Sequence, residues 1–273
     1  TVGDRSARTE DAELIRTWMV AALDQENQTI EDGARVAVWH DGLPRTEKRN
    51  ELPVLVGGEA EEREAEAAAL AESINADVVM TGRIERQGGR RQFVQEFFIF
   101  SRLAPEASES IGRYTFGEPV PLSDSLAEDA LNRSSVADQI GGRTALLFRI
   151  VLALREDVLG KHAEALRILL DIESELGLSD LPEGQLVARS GSISGLDTLY
   201  TFIGREALFL GRNEEAETAA LRALTVNPHD VRASIVLGGA LMGQAGGLNP
   251  LEAVSPGGLL DAAEAAYRTA LDD

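Results

Sequence analysis

Cysteine is absent from all 273 residues. Disulfides, thiolate nucleophiles and cysteine-ligated zinc are therefore excluded. A cysteine-free chain suits the cytoplasm and the outside of the cell equally, so localisation stays open between cytoplasmic and extracytoplasmic. Lysine is nearly missing too: Lys48 and Lys161 are the only two. Positive charge is scarce altogether, with 26 Lys and Arg against 46 Asp and Glu, for a net charge of −20. Basic side chains supply most of the affinity for phosphate backbones and for anionic lipid surfaces. Neither nucleic acid nor direct membrane contact is expected. The acidity suits a solvated exterior or a face for a basic partner. No apolar run approaches the roughly 18 residues of a spanning helix, and no stretch of this sequence is expected to act as a signal peptide. Aromatics make up only 5%. Alanine is abundant, which favours close-packed helices over sandwiches or barrels.

The length allows two domains, and the patterns divide at about residue 120. Residues 1–120 read as a small α/β domain. A helix beginning after Thr9 carries Leu14, Ile15, Trp18, Met19, Ala22 and Leu23 at helical spacing. A short strand is expected at 35–39, and a further extended piece at 52–56. An alanine-rich helix follows at 59–75, then a strand at 77–84. Gly88-Gly89 predicts a hairpin turn, since glycine alone accepts positive φ at no steric cost. The return strand at 92–101 has Phe93, Phe97 and Ile99 on one face and Val94, Phe98 and Phe100 on the other. Two apolar faces place it centrally, covered on both sides. A last strand is expected at 111–116.

Residues 121–273 read as helices. A helix capped by Ser123-Asp124 is expected to stop at Gly141-Gly142, and a new one to run over 146–159. The best-marked stretch is 197–228. Tyr200, Ile203, Gly204 and Ala207 share one helical face; Gly211-Arg212-Asn213 turns the chain; Ala216, Ala220, Ala223 and Leu224 form the inner face of a second helix, stopped at Pro228. Leu237, Gly238 and Leu241 repeat the first-helix pattern, and Ala263, Tyr267, Ala270 and Leu271 supply a late second helix after a Gly- and Pro-rich insertion at 243–258. A weaker unit carries Leu152, Ala153, Gly160, Ala165 and Leu169. The link at 176–196, with Pro182, Gly184 and the run 190–195, is too long for a standard array, and 191–195 within it reads as a flexible linker.

This helical half resembles a tetratricopeptide (TPR) repeat array, whose 34-residue unit is a helix–turn–helix. Ala207 and Ala220 depart from the pattern, which favours Tyr at the first and an aromatic at the second. The resemblance implies an irregular TPR-like array that binds proteins along its first helices. By pattern position Thr198, Thr201, Arg205, Arg232 and Ile235 would face the partner. In the first half, the Ala-rich run into Ala-Asp and an apolar strand at 67–82, then the Gly88-Gly89 hairpin, resemble the N-terminal domain of TolB and the FlgO kind of flagellar outer-membrane proteins. That likeness implies a bacterial binding or assembly module without catalysis. The chain opens at Thr1 and stops at Asp273 inside a repeat, so a longer protein is expected, with an anchor or further repeats outside this stretch.

Candidate chemistry is sparse. His40, His162 and His229 lie far apart, each without a second ligand at metal spacing, so no metal is expected. The run Gly191-Ser192-Ile193-Ser194-Gly195 has Ile193 where a nucleophile elbow requires serine. Gly57-Gly58 precedes a helix, but Glu59, Glu61, Glu62 and Glu64 crowd its start and would repel a phosphate. No nucleotide, other cofactor or catalytic residue is expected, and a hydrolase is the least favoured class. Arg83, Arg86, Arg90 and Arg91 cluster on the hairpin. They either pair with local acids or dock an anion or a carboxylate-rich partner. The fold class expected is α+β, a small α/β domain followed by an all-α repeat array. The function expected is a non-catalytic protein–protein scaffold or adaptor. The alternative is a ligand-sensing module of a larger bacterial signalling protein.

Overall fold

The computed structural model of the chain describes residues 10–30, 55, 58–100, 111–246 and 258–272. The strand expected at 35–39 lies outside them, as do all but Leu55 of the piece at 52–56 and most of the insertion at 243–258. Two compact units divide the chain, residues 1–148 and 149–273.

The first unit is a small antiparallel sheet with helices against both faces. Its helices are α1 (Glu10–Gln28) and α2 (Ala60–Ile74), and its strands β1 (Val78–Gln87), β2 (Arg90–Ile99), β3 (Gly112–Thr115) and β4 (Val120–Leu122). Helix α2 is started by a reciprocal cap, in which the Glu62 carboxylate accepts from the backbone N–H of Glu59. It ends at Asn75, in the left-handed conformation with φ 60°. The β1–β2 hairpin turns on Gly88 and Gly89, at φ 59° and 81°, and pairs Val78 with Ile99 through Gln87 with Arg90. Strand β2 is central: β1 takes one edge, and β3 and β4 pair with successive stretches along the other. The alternation of its side chains fills two cores. Phe98 packs with Val79, Ala67, Leu70 and Ala71 under α2. Phe93 packs with Ile15, Met19, Val120, Leu126, Val136 and Ile140 on the opposite face.

Strand β4 was not legible in the sequence, because Pro121 removes a ladder donor. It sits on an edge strand, where that donor is not needed. Helix α3 (Ala130–Val158) corrects another expectation, since it runs unbroken through Gly141-Gly142. A glycine costs a helix roughly 1 kcal/mol relative to alanine. Ile140, Thr144 and Leu147, all fully buried, flank the pair and outweigh that cost. Thr144 also donates to the Ile140 carbonyl at 2.8 Å and accepts from Gln95 of β2 at 3.0 Å. With β4 and the first half of α3 packed on the sheet, the first unit extends past residue 120 to 148.

The second unit contains the rest of α3 and helices α4 (His162–Glu175), α5 (Glu183–Ser190), α6 (Leu196–Phe209), α7 (Asn213–Val226), α8 (Val231–Ala245) and α9 (Leu259–Asp272). Helix α6 packs against α4, α7 and α8; α7 also packs against α5 and α8; α8 packs against α9. The expected faces are the buried ones: Tyr200, Ile203 and Ala207 on α6, and Ala216, Ala220 and Ala223 on α7. Gly204 permits close approach, since a Cβ there would lie 3.0 Å from Val236 Cγ1 and 3.2 Å from the Ala216 carbonyl. Gly238, 34 positions on, does the same for α9: a Cβ would meet the Tyr267 ring at 2.7 Å. The long link at 176–196 holds a helix of its own, α5, which the sequence did not announce. Pro182 stands at its N-cap, where a missing N–H is harmless, and fully buried Leu186 anchors it.

Candidate functional site

The turns between α3 and α4 and between α6 and α7 are built alike. Gly160 and Gly211 hold φ of 70° and 71°, a backbone that ends a helix without a Cβ penalty. The residue after each glycine donates back into its helix, Lys161 to the Glu156 carbonyl and Arg212 to that of Ala207. The first turn sets Asp157, in the last turn of α3, beside His162, the first residue of α4. Helix α6, packed on α4, brings Arg205 and Glu206 to the same place.

Four side chains meet there. His162 Nδ1 lies 2.9 Å from Glu206 Oε2 and 3.2 Å from Asp157 Oδ1. Arg205 Nη1 takes the other oxygen of each acid, Asp157 Oδ2 at 2.5 Å and Glu206 Oε1 at 3.0 Å. Asp157, Arg205 and Glu206 are buried and His162 half-buried. Phe209 covers the group: its ring stacks on His162 with centroids 4.5 Å apart, and the Arg205 guanidinium lies 4.9 Å from its centre. Burial, and next the Asp157 charge, push the Glu206 carboxyl up to about 7 against the pull of His162 and Arg205. Nearby Glu156 is held by Arg155 and Lys161 at 2.9 and 3.0 Å.

The five residues assigned to a partner face are not placed alike. Ile235 is 47% exposed and Thr198 and Arg232 are half-buried. Thr201 and Arg205 are buried, and their polar groups are engaged within the unit. Thr201 donates to Asp230 Oδ2 at 3.0 Å, while Asp230 caps α8. Met242, one heptad beyond Ile235, is 51% exposed and shares its side of α8.

The hairpin arginines are separated by the pleat. Arg83 points to the α2 face, where its guanidinium meets Glu85 at 2.7 Å and also Glu96. Arg86 and Arg91 are cross-strand neighbours. Arg86 reaches Asp124 at 3.3 Å, and Arg91 reaches Asp11 at 2.7 Å and the Ser123 carbonyl at 2.6 Å. Arg90 is exposed. The cluster that sequence proximity did not show is centred on Glu96, which is fully buried. Arg63 grips it at 3.0 and 3.1 Å, Arg113 at 3.1 Å, and Arg83 completes the set. The Glu96 hydrogen bond raises the Arg63 pKa above its ordinary value.

His40 lies outside the described residues. His229 is exposed, and its backbone N–H donates to Asn227 Oδ1. The α2 N-terminus is occupied by its own Glu62, which accepts from Gly58 N–H at 2.9 Å. Among the described residues no helix is long and apolar enough to cross a membrane. No family model, no curated protein and no solved structure matches this chain.

Proposed function

We propose that the chain is a non-catalytic scaffold or adaptor that binds a protein partner through an irregular TPR-like array. The reading is carried by α8, the first helix of the second repeat in this scheme. Ile235 and Met242 form an apolar stripe on it that its own neighbours leave half exposed. Exposed apolar side chains at heptad spacing are how a helix presents a binding face. The helix order supports the same reading. Helix α6 packs on its own second helix α7 and on the next first helix α8, α8 packs on α9, and Gly204 and Gly238 sit at tight crossings 34 positions apart. A repeat unit cannot bury its apolar face alone, so such helices stack on neighbours and leave one side for ligands.

In this proposal Thr198, Arg232, Ile235 and Met242 form the partner face. Thr201 and Arg205 support it from beneath. The sheet-bearing unit acts as an assembly module, in keeping with the TolB and FlgO-like resemblance. The test is a pull-down from bacterial extract using the full chain and the double variant Arg232→Glu/Ile235→Asp. Both positions face solvent at least in part, so the variant should fold. The proposal expects a partner captured by the wild type and lost by the variant. A partner retained by the variant would remove this face from the proposal. Capture of none would count against the scaffold reading.

A further inference from the structure

We propose that Asp157, His162 and Glu206 form a binding site for one divalent transition-metal ion of the zinc class. The proposal is independent of the scaffold reading. One ligand atom from each of Asp157, His162 and Glu206 lies within 4.8 Å of the other two. An ion about 2.0–2.2 Å from each ligand sets ligand atoms roughly 3.0–3.6 Å apart. The two distances from Nδ1, 2.9 and 3.2 Å, need little or no rearrangement to meet that spacing.

The carboxylates are also pre-oriented. Arg205 binds Oδ2 of Asp157 and Oε1 of Glu206, so each acid turns its remaining oxygen to the imidazole. This is the outer-shell arrangement that fixes metal-ligating carboxylates. Phe209 stacks on the imidazole and holds its plane. Two buried carboxylates face one guanidinium, and a dication at the three inner atoms more than offsets the negative charge that Arg205 leaves uncompensated. One imidazole and two carboxylates suit zinc better than calcium or magnesium, which take oxygen ligands only. A fourth position would fall to water. Nδ1 must offer its lone pair to the ion, so the bound imidazole is the neutral form with its N–H at Nε2.

The ligands come from α3, α4 and α6. An ion there would tie the first turn of the helical unit to α6 and raise the melting temperature of the full chain by several degrees. The test titrates the full chain with zinc chloride after chelator treatment, by calorimetry, with cobalt absorption as a second readout. Wild type should bind one ion per chain. His162→Asn keeps an amide N–H that can donate to both carboxylates but supplies no imidazole ligand. It should retain the wild-type circular dichroism and weaken zinc binding at least 100-fold, at or beyond the 10- to 100-fold typical of losing an outer-shell partner. His229→Ala should bind as wild type does. Equal zinc affinity in wild type and His162→Asn would overturn the site, as would binding by wild type that never reaches one ion per chain.

Discussion

Replacing Gly238 with alanine tests whether helices α8 and α9 pack as described. The new methyl would sit 2.7, 2.8 and 2.9 Å from Cζ, Cε1 and Cε2 of Tyr267. Carbon atoms prefer about 3.5–4.0 Å, so the ring must move by about 1 Å or leave its place. Overpacking of this kind costs about 1–3 kcal/mol. Alanine also favours the helix by about 1 kcal/mol over glycine. The net effect is a loss of about 0–2 kcal/mol. Gly142→Ala is the control, since nothing lies within 4 Å of its added Cβ in the middle of α3. It should stabilise by about 0.5–1 kcal/mol. Urea unfolding followed by circular dichroism measures both. In a Tyr267→Ala background the clash is gone, and Gly238→Ala should itself become stabilising. A stabilising Gly238→Ala in the wild-type background, equal to that of Gly142→Ala, would refute the α8–α9 contact.

Two further perturbations address the buried charges. Glu96→Gln removes the carboxylate on which Arg63, Arg83 and Arg113 converge. Breaking a buried ion pair from one side costs about 3–5 kcal/mol, so urea unfolding should show a loss of that order, and a change within 0.5 kcal/mol would contradict the network. Glu173, buried in α4, has its carboxyl raised above its ordinary value by desolvation, against the pull of Arg222. A raised acid binds its proton more tightly when folded, so stability falls as pH rises from about 4.5 through the folded-state value. Glu173→Gln removes this loss, and melting curves should show the variant gaining on wild type as pH rises above 4.5. A difference that does not change with pH would sink this reading.

The sequence was most legible where one residue type does one local job. Gly88-Gly89 announced its turn because glycine takes φ of 59° and 81° at no steric cost. The two apolar faces of 92–101 announced a central strand because alternation carries both cores at once. The faces of α6 and α7 followed from helical spacing. Legibility failed where distant packing overrode a local signal. Gly141-Gly142 reads as a break, yet the buried residues around it hold α3 together. Pro182 and Gly184 read as linker, yet Leu186 docks and a short helix forms. The Asp157–His162–Glu206 group could not be read at all from ligand spacing, since 44 positions separate the imidazole from Glu206. Only the packing of α6 on α4 brings them together. The shared Gly160 and Gly211 turns were the one local hint that helix ends here meet in a repeating way.

The central claim is that the α8 face of the helical array binds a protein partner. A photo-crosslinking residue placed in turn at Ile235, Met242, Leu221 and Leu131 tests it most directly. All four are exposed, Leu221 on α7 and Leu131 on α3. The account predicts a crosslinked product of one mass from positions 235 and 242 and none from 221 or 131. Products from 221 or 131 alone, or no product from any position, would contradict it.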